Sequence, residues 1–147
     1  MNEEHTALNI VLIDDNKDHA KILQWALRKT GRRDEFMYFE DGTSALEYLK
    51  SLMQQNGRRP DLIFLDLNLP KLDGREVLRH LKEEESTRII PVIVVSSSER
   101  EEDVRRAYEL GASSYVSKSA MLDDVGPMLK TLEAASRKST RTDKRTH

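Results

Sequence analysis

The sequence predicts an α/β fold in which a parallel sheet is covered by helices on both faces. Five short apolar runs alternate with longer segments whose apolar residues recur at helical spacing. Three of these runs, at residues 10–13, 62–65 and 92–95, contain only apolar residues, which is typical of parallel strands buried on both faces. A chain of 147 residues has the length of one domain. We therefore expect a doubly wound, five-stranded parallel sheet.

The predicted strands follow one another at residues 10–13, 36–39, 62–65, 92–95 and 115–116. The first, third and fourth should form the centre of the sheet because they carry no polar side chain. The segments between the strands each have one apolar stripe, as expected of helices that cover a sheet. Such stripes are formed by Ala45, Leu46, Leu49, Leu52 and Met53, by Val77, Leu78 and Leu81, and by Val104, Ala107, Tyr108 and Gly111.

Side chains that favour helix ends occur where helices should begin and stop. Asn16, Thr43 and Ser98 can each cap a helix N-terminus. Ser98, with Glu101 three residues later, would form a capping box for a helix over residues 99–110. The glycines expected just beyond helix C-termini are Gly31 and Gly111.

The last amphipathic segment contains a glycine and a proline, Gly126 and Pro127. Proline has no backbone N–H, and its ring clashes with the carbonyl four residues earlier in a helix. We therefore expect either a kink at this point or a helix that begins later than its apolar pattern. That pattern consists of Leu122, Val125, Met128, Leu129 and Leu132.

Charge and cysteine content narrow the possible functions. The chain has 24 Lys and Arg, 26 Asp and Glu, and no Cys, which excludes disulfides, thiol nucleophiles and cysteine metal sites and favours the cytoplasm. Residues 134–147 carry five basic residues and one acidic residue, so their net charge of +4 leaves −6 on residues 1–133. An acidic body argues against nucleic-acid binding. No apolar run approaches the ~20 residues of a membrane span, so we expect no membrane association.

The composition also predicts where the folded part of the chain begins and ends. We expect an N-terminal extension at residues 1–7, a folded domain at residues 8–133 and a basic tail at residues 134–147. From residue 136 onward the chain has no apolar side chain, so the tail should be disordered.

Polar side chains follow four of the five predicted strands at the point where each strand ends. Asp14 and Asp15 follow the first strand, Asp66 the third, Ser96 the fourth and Lys118 the fifth. In the strand order 2-1-3-4-5, the first and third strands are neighbours, and their carboxyl ends share one edge of the sheet. The three carboxylates would then need a cation such as Mg²⁺, which prefers oxygen ligands. Together with the Ser96 hydroxyl and the Lys118 amine, the cation and the carboxylates suit the binding of a phosphoryl group. One carboxylate remains free to attack the phosphorus atom.

At these positions the chain resembles the receiver domain of two-component response regulators. The resemblance extends over about residues 8–133, and it implies a flavodoxin-like (βα)5 fold with the strand order 2-1-3-4-5. The residues that carry it are Asp14, Asp15, Asp66, Pro70, Gly74, Ser96, Tyr115 and Lys118.

The resemblance assigns the acceptor and the metal ligands. It implies that Asp66 accepts a phosphoryl group from the phosphohistidine of a separate sensor kinase. It also implies that Mg²⁺ is held by the carboxylates of Asp14, Asp15 and Asp66 and by the backbone carbonyl of Asn68. In this family the protein is a substrate and a switch, and its only chemistry is the gain and slow loss of its own phosphoryl group.

The resemblance also implies how the switch works. Ser96 would donate to one phosphoryl oxygen and Lys118 would pair with another. Tyr115 would turn inward as Ser96 moves toward the phosphate, although a packing role alone also fits this aromatic residue. Receivers usually have proline after the lysine, whereas this chain has Ser119, so the loop after the fifth strand is less well determined by the likeness.

A narrower resemblance is to the stand-alone receivers that are paired with phytochrome-type histidine kinases. It rests on the segments at residues 66–71 and 73–78 and on Lys118 with Ser119. It implies that the input is light sensed by another protein. Because no effector-sized segment follows residue 133, we expect output through a protein partner or onward transfer of the phosphoryl group. The surface of the fourth helix, fifth strand and fifth helix is the expected output face and a possible homodimer face.

Other readings of the same residues remain open. A phosphohydrolase with a phosphoaspartate intermediate would use the same groups, but its haloacid-dehalogenase form needs an acid where this chain has Asn68. A mononucleotide binder would have a glycine- or hydroxyl-rich loop after the first strand, where Asp14 and Asp15 would repel phosphate. A phosphate-independent binding module would keep the fold without the chemistry. The four histidines lack metal-like spacing, and each is expected to be solvated or satisfied by local partners: His5, His19, His80 and His147.

Overall fold

The computed structural model describes residues 7–121 and 123–131, and a five-stranded parallel sheet lies at its centre. The strands are β1 (Asn9–Ile13), β2 (Glu35–Phe39), β3 (Leu62–Asp66), β4 (Val92–Ser96) and β5 (Ser114–Ser117). Their order is β2-β1-β3-β4-β5, and every neighbouring pair is parallel, which confirms the predicted sheet. As predicted for central strands, β3 and β4 are buried at every residue.

Helices cover both faces of this sheet. They are α1 (Lys17–Lys29), α2 (Gly42–Gln54), α3 (Gly74–Glu83) and α4 (Glu101–Glu109). A short 3₁₀ turn at Lys118–Ala120 leads into further helical residues at 121 and 123–131, which we call α5. Within the described residues, no helix is long and apolar enough to cross a membrane.

The apolar core is divided by the sheet into two clusters. Val11 and Ile13 of β1 pack into a cluster with α2, α3 and α4, whereas Ile10 and Leu12 pack into a cluster with α1 and α5. Successive side chains of a strand point to opposite faces, so each central strand contributes to both clusters. The continuously apolar strand sequences follow from this double burial.

The N-terminus of α2 differs from the prediction. Asn16 caps α1 as predicted, because its side chain accepts a backbone N–H of the first turn at 2.9 Å. At α2, however, the predicted cap Thr43 is wrong. The cap is Asp41, whose carboxylate accepts the backbone N–H of Ser44 at 2.8 Å. Thr43 already lies within the first turn, so its side chain cannot occupy the capping position.

The predicted capping box at α4 is also wrong. This helix begins at Glu101, with Arg100 at the N-cap position and no side-chain cap hydrogen bond. The Ser98 hydroxyl accepts the backbone N–H of Arg100 at 3.2 Å and donates to Asp103 at 2.6 Å. Since Ser98 forms a turn with Arg100, the helix starts later than predicted, and the serine instead ties the preceding loop to the first turn of α4.

Helix C-termini behave as the glycines predict. Gly31 and Gly111 have φ values of +90° and +110°, in the left-handed region that favours glycine after a helix. The chain can therefore leave α1 and α4 sharply and return toward the sheet.

Of the two alternatives predicted for the last helix, the late start is wrong, because described residues on both sides of Gly126 and Pro127 are helical. A Cβ atom on Gly126 would lie 2.9 Å from Cγ2 of Thr30 at the end of α1, so the glycine allows close helix contact. Val125 and Leu129 are fully buried on either side of the proline. This packing explains why the helix tolerates the missing N–H, since tertiary contacts supply most helix stability. The predicted tail at residues 134–147 lies outside the described residues.

Candidate functional site

Three carboxylates converge where β1 and β3 end. Asp14, Asp15 and Asp66 each offer an oxygen that lies within 4.8 Å of the other two. Asp14 is 8% exposed and Asp66 is 2% exposed, whereas Asp15 is open to solvent. The parallel register pairs Ile13 with Leu65, so the next residues of the two strands, Asp14 and Asp66, leave the sheet side by side.

Each strand-end carboxylate is held by the backbone that follows it. Asp14 accepts the N–H of Asn16 at 2.9 Å, and Asp66 accepts the N–H of Asn68 at 3.0 Å, in both cases through Oδ1. Asx turns of this kind fix the side chain as the chain leaves the strand. The Oδ2 atom of each carboxylate remains directed at the other charged groups of the site. The structure thus places Asn68 in the turn beside Asp66, next to the carboxylates.

The start of α3 is packed directly on this turn. The Gly74 N–H donates to the carbonyl of Leu67 at 3.0 Å. A Cβ atom at Gly74 would overlap the carbonyl oxygen of Asp66 and would lie 2.5 Å from Cα of Leu67. Only glycine fits at this position, so α3 can approach the backbone that carries the Asp66 side chain.

Lys118 brings a positive charge into the cluster from the end of β5. Its Nζ lies 3.1 Å from Oδ2 of Asp66 and 3.7 Å from Oδ2 of Asp14. A third neighbour is His19 of α1, whose Nδ1 lies 2.9 Å from the same Nζ. The Lys118 side chain is 18% exposed, so its charge is largely shielded from water and is balanced by the carboxylates.

The crowding of acids has an electrostatic consequence. Burial raises the pKa of the Asp14 carboxyl above its usual value, and the negative charge of Asp66 raises it further. The backbone N–H of Asn16 and the positive charge of Lys118 offset part of this rise. A divalent cation beside the carboxylates would favour their ionised forms, and a set of three carboxylate ligands fits a hard cation such as Mg²⁺.

Ser96 and Tyr115 lie on the neighbouring strands. Ser96 ends β4, is 2% exposed, and accepts the backbone N–H of Ser98 through its hydroxyl oxygen at 3.2 Å. The Tyr115 hydroxyl donates to the carbonyl of Ser98 at 2.9 Å, and its ring packs against the cluster formed with α2, α3 and α4. Both side chains therefore bond to the same residue of the β4–α4 loop.

The structure brings most predicted site residues together. Asp14, Asp15 and Asp66 form one cluster, and Lys118 lies 3.1 Å from Asp66 and 3.7 Å from Asp14. Ser96 occupies the end of the strand next to β3. Sequence reasoning missed His19 as a member of the site. The available signal was its place in the first turn of α1, four residues after Asp15, where the helix starts beside the acidic pair.

The chain matches known proteins over most of its length. The family model of the response regulator receiver domain matches residues 10–130. Response regulator Rcp1 of Synechocystis sp. is 38% identical over 126 residues, which make up 85% of this chain and 86% of Rcp1.

Solved structures agree with these sequence matches. The Mn²⁺-bound form of Rcp1 is 38% identical with a TM-score of 0.71, and the match covers 86% of this chain and 92% of that one. The phosphorylated cyanobacterial phytochrome response regulator RcpA is 40% identical with a TM-score of 0.72, covering 87% and 92%. The bacteriophytochrome response regulator AtBRR is 39% identical with a TM-score of 0.67, covering 77% and 83%. The predicted likeness to phytochrome-associated receivers is thereby confirmed.

Proposed function

The chain belongs to the response regulator receiver family, and on that premise we propose that Asp66 accepts a phosphoryl group from the phosphohistidine of a sensor histidine kinase. The observation that carries the proposal is the buried Asp66 carboxylate, 3.1 Å from the Lys118 ammonium and clustered with two further carboxylates. Attack by Asp66 forms an O–P bond and breaks the N–P bond of the phosphohistidine. The imidazole leaves with the electron pair of that bond and takes up a proton.

Lys118 and Ser96 would stabilise the transferred group. The Lys118 ammonium already faces Asp66, so it can neutralise one phosphoryl oxygen without a large rearrangement. The Ser96 hydroxyl ends the strand next to the acceptor strand and can donate to a second oxygen. Such contacts are stronger than in bulk solvent because the site excludes water and because its donors are already fixed in position.

Asp14, Asp15 and Asp66, with the backbone carbonyl of Asn68, would hold Mg²⁺ beside the acceptor. Support comes from the carboxylate oxygens, which lie within 4.8 Å of one another, and from the raised pKa of Asp14. A bound cation would reduce the repulsion between the carboxylates and lower this pKa. When bound, Mg²⁺ supplies the positive charge that offsets the carboxylates and the phosphoryl oxygens. The Mn²⁺-bound form of the relative Rcp1 is consistent with this assignment.

Phosphorylation would be read out through the loop between β4 and α4. A new charge of about −2 on Asp66 would draw the Ser96 hydroxyl toward it. Because Ser98 is bonded to both Ser96 and Tyr115, movement of this loop would change the position of the aromatic ring. The surface formed by α4, β5 and α5 would then change its affinity for a protein partner or for a second copy of the chain.

The kinase partner is proposed to be of the phytochrome type. Support comes from RcpA and AtBRR, which are named as phytochrome response regulators and which are 40% and 39% identical to this chain. The phosphoryl transfer from the kinase to Asp66 would take place in the cytoplasm. The protein would thus act as a switch whose own chemistry is limited to gain and hydrolytic loss of the phosphoryl group.

The test is transfer from a small phosphodonor. We would incubate the protein with acetyl phosphate, with and without Mg²⁺, and measure the gain of phosphoryl groups by intact mass. We expect one acid-stable, base-labile group on the wild type, dependent on Mg²⁺, and none on Asp66→Asn. Asp18→Asn is a matched control, since it removes one exposed carboxylate from the first turn of α1 and leaves the cluster intact.

Two outcomes would contradict the proposal. A folded wild type that binds Mg²⁺ but gains no group would indicate a phosphate-independent binding module. An adduct that persists in Asp66→Asn would place the acceptor elsewhere. Size-exclusion chromatography of the same samples would show whether the phosphorylated form associates with a second copy.

A further inference from the structure

His19 reaches the carboxylate cluster from the first turn of α1, where its ring contacts Lys118. The His19 Nδ1 lies 2.9 Å from Nζ of Lys118 and 3.4 Å from Oδ2 of Asp14. We propose that His19 is a positioning residue, which accepts a hydrogen bond from the Lys118 ammonium and holds that ammonium against Asp66. This inference rests on the proposed function of Asp66 as the phosphoryl acceptor.

The donor and acceptor in the contact follow from the chemistry of the two groups. A lysine ammonium has three N–H donors and no lone pair, so a 2.9 Å contact requires an unprotonated Nδ1 on His19. The imidazole proton is then on Nε2. In the alternative arrangement Nδ1–H would donate to Asp14, but that contact is longer, at 3.4 Å, and it would set two donors against each other. The shorter contact therefore favours the tautomer with its proton on Nε2.

A neutral acceptor suits this place for an electrostatic reason. The other neighbours of the Lys118 Nζ are carboxylates of Asp66 and Asp14, at 3.1 and 3.7 Å. The imidazole fixes the direction of the ammonium without cancelling its charge, so the full charge remains available to a phosphoryl oxygen. Lysine has a long, flexible side chain, and a second anchor keeps its charge where the reaction needs it.

The surroundings make the contact testable. The His19 side chain is 32% exposed, so its removal leaves no closed cavity, and the variant should fold. Lys118 is only 18% exposed, so water replaces a lost partner poorly. The side-chain oxygen of Asn at position 19 would lie near the place of Nδ1, whereas Ala has no acceptor there.

The first experiment compares phosphorylation rates with acetyl phosphate. We expect His19→Ala to be slowed at least about tenfold, because a hydrogen bond from a charged donor is lost, and His19→Asn to recover most of the rate. His80→Ala, which removes an exposed histidine on α3, should keep the wild-type rate. In a Lys118→Ala background, His19→Ala should cause no further slowing, because His19 acts through Lys118.

The second experiment needs neither metal nor phosphodonor. We would observe the Lys118 ammonium by ¹⁵N NMR in the metal-free protein, assigned with Lys118→Arg. We expect slow exchange of its protons in the wild type and in His19→Asn, and loss of the signal in His19→Ala.

The outcomes separate this inference from the proposed function. An unchanged rate and an unchanged ammonium signal in His19→Ala would overturn the inference, as would equal slowing in the Lys118→Ala background. A wild type that takes no phosphoryl group, but whose ammonium signal depends on His19, would overturn the function of Asp66 and support the contact between the two side chains.

Discussion

At the scale of single residues, the site depends on carboxylates whose two oxygens do different things. Oδ1 of Asp14 and Oδ1 of Asp66 are each bound to a backbone N–H two residues ahead. Oδ2 of each faces Lys118 instead. The turn thus anchors one side of each acid and leaves the other side for charge or chemistry. This division explains how acids can be buried at a strand end without losing all their hydrogen bonds.

A second single-residue feature is the hydrogen bond from Tyr115 to the Ser98 carbonyl. We expect Tyr115→Phe to lower the free energy of unfolding by about 1 kcal/mol, because a partly buried acceptor loses its donor. Uptake of a phosphoryl group should not change, since the Tyr115 hydroxyl contacts the β4–α4 loop and not Asp66. Urea denaturation and intact mass measure the two effects. Tyr108→Phe, at a ring that is 47% exposed, is the control and should match the wild type. Equal stability of both variants would speak against the bond.

At the scale of elements, α3 and the turn after β3 form one packed unit. We expect Gly74→Ala to lower the free energy of unfolding by about 2 kcal/mol, because the added methyl group overlaps the Asp66 backbone. It should also slow the proposed phosphorylation of Asp66, since the carboxylate is displaced. Gly31→Ala is the control, because its φ of +90° makes it costly by roughly 1 kcal/mol while nothing lies within 4 Å of the new Cβ. If Gly74→Ala is phosphorylated at the wild-type rate, α3 does not set the position of the Asp66 carboxylate.

The cap of α2 gives an element-scale prediction that depends on pH. The backbone N–H of Ser44 holds the pKa of Asp41 below its ordinary value of 3.8. A lowered pKa in the folded state means that the stabilisation is present above the unfolded value and is lost as pH falls through the folded value. We expect Asp41→Ala to cost about 1 kcal/mol at pH 7, with the difference from wild type narrowing below about pH 4.

Urea midpoints measured between pH 7 and pH 3 would test this cap. Thr43→Ala is the control, because Thr43 is exposed and does not cap the helix. A larger loss in Thr43→Ala than in Asp41→Ala would show that the helix begins where the sequence alone predicts it.

At the scale of the whole molecule, the sequence predicts the features that follow from the arrangement of the strands. It does not predict the features that depend on how a helix rotates or where a turn forms. The meeting of Asp14, Asp66 and Lys118 follows from parallel strands in the order 2-1-3-4-5, because their carboxyl ends then share one edge of the sheet. The place of His19 depends on how α1 rotates against the sheet, which a spacing pattern does not define. The start of α4 likewise depends on the turn at Ser98, a competition between side-chain and helix hydrogen bonds that propensities do not decide.

Metal binding should stabilise the entire domain. If the carboxylate cluster binds Mg²⁺ only in the folded state, a concentration one hundred times the Kd should add about 2.7 kcal/mol to the free energy of unfolding. Asp15→Asn should abolish this gain, and Asp18→Asn should keep it, because of these two residues only Asp15 belongs to the carboxylate cluster. Thermal unfolding in Mg²⁺ and in Na⁺ at matched ionic strength measures the difference. A similar gain with both salts would indicate screening of charge and no defined site.

The strand order also governs when during folding the site can exist. Ile10 of β1 pairs with Phe36 of β2 and with Leu62 of β3, so the first strand becomes central only after two βα units have formed. The apolar stripe of α1 shares its core with Val125 and Leu129 of α5, the last helix described. On a ribosome, the first helix therefore emerges long before its final covering. Closing so long a loop is entropically costly, so α1 and α5 should pack together late. A truncated or arrested chain would expose this helix to chaperones while lacking a finished carboxylate cluster.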